Sequence, residues 1–108
     1  MLRHGHGITW RFEGRELDEE TRRLTVRGVE TPIERKPFEV LVYLLRNPDR
    51  AVRKQELLEA LWPGRILSET VLSRAVMLAR QAIGDDDQQI IKTVYGYGYR
   101  LVAALDKL

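Results

Sequence analysis

Between Ile8 and Glu34 the apolar residues come in short alternating runs separated by turn signals. Ile8, Trp10 and Phe12 alternate with Thr9 and Arg11, which places three large side chains on one face of a strand. Glu13-Gly14 marks a turn, Glu16 and Leu17 a second short strand, and Asp18 is suited to opening the turn that runs to Thr21. Leu24, Val26, a turn at Gly28, then Val29 and Ile33 complete an antiparallel meander with one apolar and one charged face. At Lys36 the period becomes helical. Pro37 suits the first turn of a helix, and Phe38, Leu41, Val42 and Leu45 recur at i, i+3, i+4, i+7 until Asn47-Pro48 stops them. A second helix fits Lys54 to Trp62, with Leu57, Leu58 and Leu61 inward and Pro63-Gly64 as its end. Arg53 stands at its N-cap, where it cannot bond the helix amides as Ser or Thr would, at a cost of about 1 kcal/mol. A third helix fits residues 69–83, with Ser68 as N-cap and Gly84 as the C-terminal stop. Residues 90–102 read as a hairpin, Ile90 to Val94 and Tyr99 to Val102 joined by Tyr95-Gly96-Tyr97-Gly98.

The predicted order is strands, three helices, hairpin. Helices two and three, joined through residues 63–68, make a loose helix-turn-helix, and the hairpin beside helix three is placed as a wing. On a helical wheel Leu72, Val76, Ala79 and Ile83 share one face, extended by Ala75, Ala82, Val71 and Leu78. Thr70, Ser73, Arg74, Met77, Arg80 and Gln81 lie opposite, a face whose only charges are two arginines.

Composition narrows the classes. A chain of 108 residues supports one modest core, so a multi-domain enzyme is excluded. The domain is expected over residues 8–103, with a loose Gly/His-rich stretch at 1–7 and a loose tail at 104–108. Without cysteine there is no disulfide framework and no thiolate, which fits a reducing compartment and a cytoplasmic location. The longest purely apolar run, Val40 to Leu45, has six residues, far from the roughly 20 needed to cross a bilayer. No secretory signal is seen at the start, and no membrane contact is expected. The net charge is only +2, and each half of the chain is +1. Any electrostatic footprint must therefore come from placement on one face. The acids fall largely on the meander, helix two and Asp85 to Asp87, leaving Glu69 at the margin of the polar helix face.

That face has the chemistry of a helix able to enter a DNA major groove: short hydroxyls, Arg and Gln, and no acid at its centre. Arg74 can pair with a guanine or reach a phosphate, Gln81 and Arg80 can bond base edges or backbone, Thr70 and Ser73 either, and Met77 can touch a thymine methyl. A merely solvated helix face is the competing reading. The hairpin offers Thr93, Tyr95, Tyr97, Tyr99 and Arg100 to phosphate oxygens; for Tyr99 a place in the core competes, whereas Tyr95 and Tyr97, among glycines, are expected in solvent or against DNA. If DNA is the partner, Arg74, Arg80, Lys92 and Arg100 should lie on one side. Catalytic signals are absent: no Walker lysine, no GxSxG, no HExxH. His4 and His6 read as a tag-like end and Asp85-Asp86-Asp87 as a solvated loop without the spaced ligands of a calcium site. No enzyme, cofactor or metal site is expected.

Glu56-Leu57-Leu58-Glu59-Ala60-Leu61-Trp62-Pro63-Gly64-Arg65, Leu72-Ser73-Arg74-Ala75-Val76, Ala79 to Asp86, Ile91-Lys92-Thr93-Val94 and Gly98-Tyr99-Arg100-Leu101-Val102 together resemble the winged-helix effector domain of OmpR/PhoB-type transcriptional regulators, over about residues 8–103. Among these the chain looks closest to the CadC-like branch, whose DNA-binding domain is N-terminal. The resemblance implies an α+β winged helix-turn-helix: an N-terminal antiparallel four-stranded sheet, a three-helix core and a C-terminal β-hairpin wing. It implies sequence-specific binding of double-stranded DNA, with helix 69–83 in the major groove and wing 90–102 on the adjacent minor groove or backbone. Thr70, Arg74 and Met77 fall where the family meets bases or phosphates; Trp62, Thr93, Tyr95 and Tyr99 fall where it often touches the backbone. The 63–68 loop corresponds to the one that meets RNA polymerase in some members. Met77, Leu78 and Tyr95 stand where basic residues are common and Arg53 where a Ser or Thr cap is usual, which implies modest monomer affinity and a homodimer or repeated site on DNA. No receiver domain precedes the winged helix in these residues, so no phosphorylatable aspartate switch is expected within them. The alternative is a winged helix used for protein–protein interaction without DNA, through the aromatic wing and the Met77/Leu78 edge.

Overall fold

A computed structural model describes residues 8–108; the expectations for residues 1–7, His4 and His6 included, lie outside them. In chain order the elements are β1 (Thr9–Phe12), β2 (Arg15–Asp18), β3 (Arg23–Val26), β4 (Val29–Thr31), α1 (Arg35–Arg46), β5 (Val52–Arg53), α2 (Lys54–Leu61), α3 (Glu69–Ile83), β6 (Ile91–Val94), β7 (Gly98–Leu101) and β8 (Leu105–Lys107). They form two compact units, one of residues up to Pro32 with Ala103–Leu108, the other Ile33–Val102.

The first unit is an antiparallel sheet ordered β4-β3-β2-β1-β8. Trp10, Phe12, Leu17 and Leu24 are buried, as the alternation predicts. The two-residue turns at Glu13-Gly14 (φ 47°, 75°) and Arg27-Gly28 (φ 51°, 81°) carry both residues at positive φ, the turn type whose twist matches that of the flanking strands. Asp18 opens the next turn by accepting the N–H groups of Glu20 (2.9 Å) and Thr21 (3.1 Å) on Oδ1. The sheet has five strands and not the four expected. Leu105–Lys107, expected to be a loose tail, pairs with β1, Trp10 opposite Lys107 and Phe12 opposite Leu105. The edge of β1 offers unsatisfied backbone groups, and pairing them outweighs the weak apolar signal of a segment with one inward leucine.

The second unit holds the three helices and a sheet ordered β5-β7-β6. Its core is Phe38, Val40, Leu41, Leu44 and Leu45 from α1, Leu57, Leu58 and Leu61 from α2, Leu72, Ala75, Val76, Ala79 and Ile83 from α3, and Ile91, Tyr99 and Leu101 from the sheet. Val42, expected inward, is half-buried, and Val40 and Leu44 take its share of the core. Each full side chain of this size stabilises the fold by about 1.5–3 kcal/mol. The expected bounds of α3 match the observed ones; Ser68 sits at its N-cap with extended backbone but makes no side-chain cap bond. Gly84 ends the helix in the left-handed conformation, and Asp85 N–H reaches back to Arg80 C=O at 2.9 Å, the long bond of a Schellman ending. The two-residue strand β5 adds to the expected hairpin, with Val52 opposite Tyr99 and Arg53 opposite Gly98. That approach is so close that a Cβ on Gly98 would lie 1.8 Å from the carbonyl oxygen of Val52.

Candidate nucleic-acid interface

On α3, Thr70, Ser73, Arg74, Met77 and Gln81 are exposed, Met77 at 43%. They share the face opposite Leu72, Val76, Ala79 and Ile83 because the helix repeats its direction at every third to fourth residue. Glu69, at the N-terminal margin of that face, is drawn to Lys54, whose Nζ lies 3.1 Å from Oε1; at the other end Met77 and Gln81 share a shallow depression with Asp85 and Asp86. The exposed strip is thus a row of hydroxyl, guanidinium, thioether and amide groups.

Arg80 does not stand on that strip. It is half-buried; its Nε and Nη2 donate to the Ile91 carbonyl at 3.0 and 2.7 Å, Nη2 donates again to Thr93 Oγ1 at 3.0 Å, and the guanidinium lies 5.9 Å from the Tyr99 ring centroid. An arginine on the last turn of a helix that touches a sheet meets a strand carbonyl before it meets solvent. Arg80 therefore fastens α3 to the wing, and Thr93 is engaged as its acceptor. Tyr99 is buried at 6% exposure, so the core reading prevails over the contact reading: residues opposite Val52 and Thr93 share their inward face. Trp62 is likewise buried. Lys36 lies 5.3 Å from its ring centroid and donates to the carbonyl of Leu61, closing the end of α2.

The wing turn matches its expectation better. Tyr95 is 90% exposed and Tyr97 partly so. Tyr97 N–H donates to Val94 C=O at 2.9 Å, and Tyr97 C=O accepts the Lys54 N–H at 3.0 Å, giving α2 the N-terminal partner that Arg53 cannot supply as a cap. Lys92 and Arg100 face each other across β6 and β7 on the side of the hairpin away from Tyr99, so the four cations expected on one side are divided: Arg74 on the helix strip, Arg80 between helix and wing, Lys92 and Arg100 on the wing's outer face.

A residue not singled out as functional organises the entry to the wing. Asp85, expected in a solvated loop, is 4% exposed. Its Oδ1 accepts the N–H groups of Gln89 (2.8 Å) and Ile90 (3.0 Å), and Oδ2 that of Ile91 (2.8 Å). Asp86 and Asp87 remain exposed. On α2, Glu56 receives Arg50 at 2.8 Å and Tyr43 Oη at 2.5 Å; the Arg50 bond, then the Tyr43 bond, hold its carboxyl down at about 2 against an ordinary 4.5. No group of histidine, cysteine or acidic side chains suited to a metal occurs among the described residues.

Residues 28–101, the last strand of the meander through the wing, match the family described as transcriptional regulatory protein, C terminal. The chain belongs to this family, the OmpR/PhoB type. This OmpR/PhoB-type domain is 33% identical over 86 residues to the transcriptional regulatory protein TrcR of Mycobacterium tuberculosis, an alignment covering 79% of the chain and 34% of TrcR. Among solved structures it is similar to the response regulator DrrB, an OmpR/PhoB homologue of Thermotoga maritima, with a TM-score of 0.80 and 28% identity over 87% of this chain and 44% of that one. The DNA-binding domain of Escherichia coli CadC superposes with a TM-score of 0.81 at 18% identity, covering 93% of this chain and 96% of CadC's domain, a likeness of fold. The winged helix thus spans about a third of TrcR and less than half of DrrB.

Proposed function

We propose that this winged helix binds double-stranded DNA sequence-specifically as the effector module of a transcriptional regulator, with α3 in the major groove and the Tyr95–Tyr97 turn on the adjacent minor groove or backbone. The observation that carries it is the exposed strip Thr70, Ser73, Arg74, Met77, Gln81, whose N-terminal neighbour Glu69 is paired with Lys54. Arg74 is its base or phosphate contact, Thr70, Ser73 and Gln81 are hydrogen-bonding groups, and Met77 is an apolar contact for a thymine methyl. Tyr95 and Tyr97 contribute hydroxyls at the backbone, while Arg80, Thr93 and Tyr99 act from beneath by joining helix and wing, and Trp62 acts from the core at the end of α2. The function is binding and not catalysis, and the setting is cytoplasmic.

Three or four phosphate contacts give a salt slope of about −3, so two copies on adjacent half-sites supply the affinity that one lacks. The 63–68 loop, with Ile66 fully exposed, is an apolar contact for RNA polymerase. Anisotropy titrations over salt, with a duplex selected from a random pool and an unselected one, test the reading. Arg74→Ala is expected to cost about 1–3 kcal/mol and relax base preference at one position. Absence of binding to either duplex at low salt would replace this reading with a protein-interaction module.

A further inference from the structure

The helix strip uses Arg74, and the outer face of the wing carries further cations. Side chains alternate along strands, so Val52, Ile91, Tyr99 and Leu101 share the buried face, and Arg53, Lys92 and Arg100 share the other, where all three are exposed. Arg100 has Asp49 at 4.0 Å. Arg53 is held differently. Its guanidinium lies over Tyr97, 5.2 Å from the ring centroid, and Nε donates to the phenol oxygen at 3.3 Å. No carboxylate pairs with it among the described residues. Tyr97 is itself anchored through both backbone groups, to Val94 and Lys54. The Arg53 charge is felt by Glu56, which Arg50 and Tyr43 already hold. A cation in no ion pair of its own is therefore mounted on an aromatic platform at the turn of the wing, beside the exposed Tyr95, which carries no charge.

We propose that Arg53, oriented by Tyr97, binds a backbone phosphate of the duplex whose groove α3 enters. The planar guanidinium fork matches two phosphate oxygens. With Nε on the phenol, its two Nη groups supply the remaining donors. Stacking on the ring already restricts the long side chain, so less freedom is lost on binding than for an unsupported arginine. The inference rests on the DNA-binding reading and adds to it a contact from β5, outside both α3 and the hairpin.

Anisotropy titrations with the selected and the random duplex between 50 and 200 mM salt test it. Arg53→Ala is expected to weaken both duplexes alike, leave their ratio unchanged, and reduce the magnitude of the log–log salt slope by about 0.9. Over that fourfold rise in salt the variant then loses about 3.5-fold less affinity than the wild type does. Arg53→Gln, which keeps a donor for the Tyr97 hydroxyl but no charge, should give the same slope change with an unaltered melting curve. Arg53→Lys should restore the slope. Tyr97→Phe retains the platform and the slope, whereas Tyr97→Leu removes the platform and weakens both duplexes. A wild-type slope in a folded Arg53→Gln variant overturns this proposal alone and leaves Arg53 a support of the wing. A wild type that binds neither duplex overturns the DNA-binding reading itself.

Discussion

Replacing Asp85 probes how the recognition helix is joined to the wing. In Asp85→Ala the amides of Ile90 and Ile91, both buried, lose their acceptor, and the partly buried amide of Gln89 loses its own. A buried donor left unpaired costs about 1–3 kcal/mol. The Gln89 amide can turn to water, so two buried amides decide the sum, about 2–6 kcal/mol, a large share of the roughly 5–15 kcal/mol by which a domain is stable. Asp85→Asn is milder. One amide oxygen can keep both bonds made by Oδ1, but its NH2 group then faces the Ile91 N–H, donor against donor, at about 1–3 kcal/mol. Urea unfolding followed by tryptophan fluorescence should show the order wild type, Asn, Ala in midpoint, with the Asn variant shifted down by about 1–2 M at an unchanged slope. Asp86→Asn, at an exposed neighbour, should stay within about 0.5 kcal/mol of the wild type. Amide exchange at Ile90 and Ile91 should accelerate in both Asp85 variants. If Asp85→Asn unfolds where the wild type does and those two amides remain protected, the anchoring role assigned to this carboxylate is wrong.

The other predictions concern the same framework. Gly98→Ala forces a carbon to within 1.8 Å of the Val52 carbonyl oxygen, and separating β5 from β7 should cost about 3 kcal/mol or more, read as a lowered urea midpoint with loss of amide protection in β5. Arg80→Ala removes three hydrogen bonds from α3 to β6; it should destabilise by about 1.5–3 kcal/mol and weaken DNA binding without changing the salt slope, whereas a slope reduced by about 0.9 would mark Arg80 as a phosphate contact after all. Glu56 is held at about 2 in the fold against an ordinary 4.5. Its contribution is therefore fully present above pH 4.5 and is lost as pH falls towards 2, so Glu56→Gln should flatten stability across that interval, and a wild-type acid limb in the variant would refute the assignment.

The elements with local signals were legible to within a residue or two. α3 was bounded by its apolar period, Ser68 and Gly84, and the wing turn by alternating tyrosine and glycine. Side-chain roles were less so. A helical wheel places Arg80 with Arg74 because direction is all it knows, and the long arm that leads Arg80 to Ile91 and Thr93 depends on how near β6 runs. Tyr99 illustrates the opposite case: its inward place follows from cross-strand pairing with Thr93 and Val52, and only the first of these partners is sequence-local. Among three consecutive aspartates nothing in the sequence separates Asp85 from its neighbours; the left-handed exit at Gly84 turns the first inward. β8 went unseen because its pairing partner lies near the other end of the chain and its own apolar content is a single leucine.

The amino-acid sequence by itself determined the order of strands, helices and hairpin and the polar strip on α3. It could do so because local period, turn residues and composition act over a few neighbouring positions. Tertiary structure decided which charged groups remain available to a partner. Burial and hydrogen bonding between distant segments committed Arg80 and Asp85 to holding the fold, withdrew Tyr99 and Trp62 into the core, and mounted Arg53 on Tyr97 at the wing. Those outcomes depend on distances between residues far apart in the chain, which the order of residues does not contain.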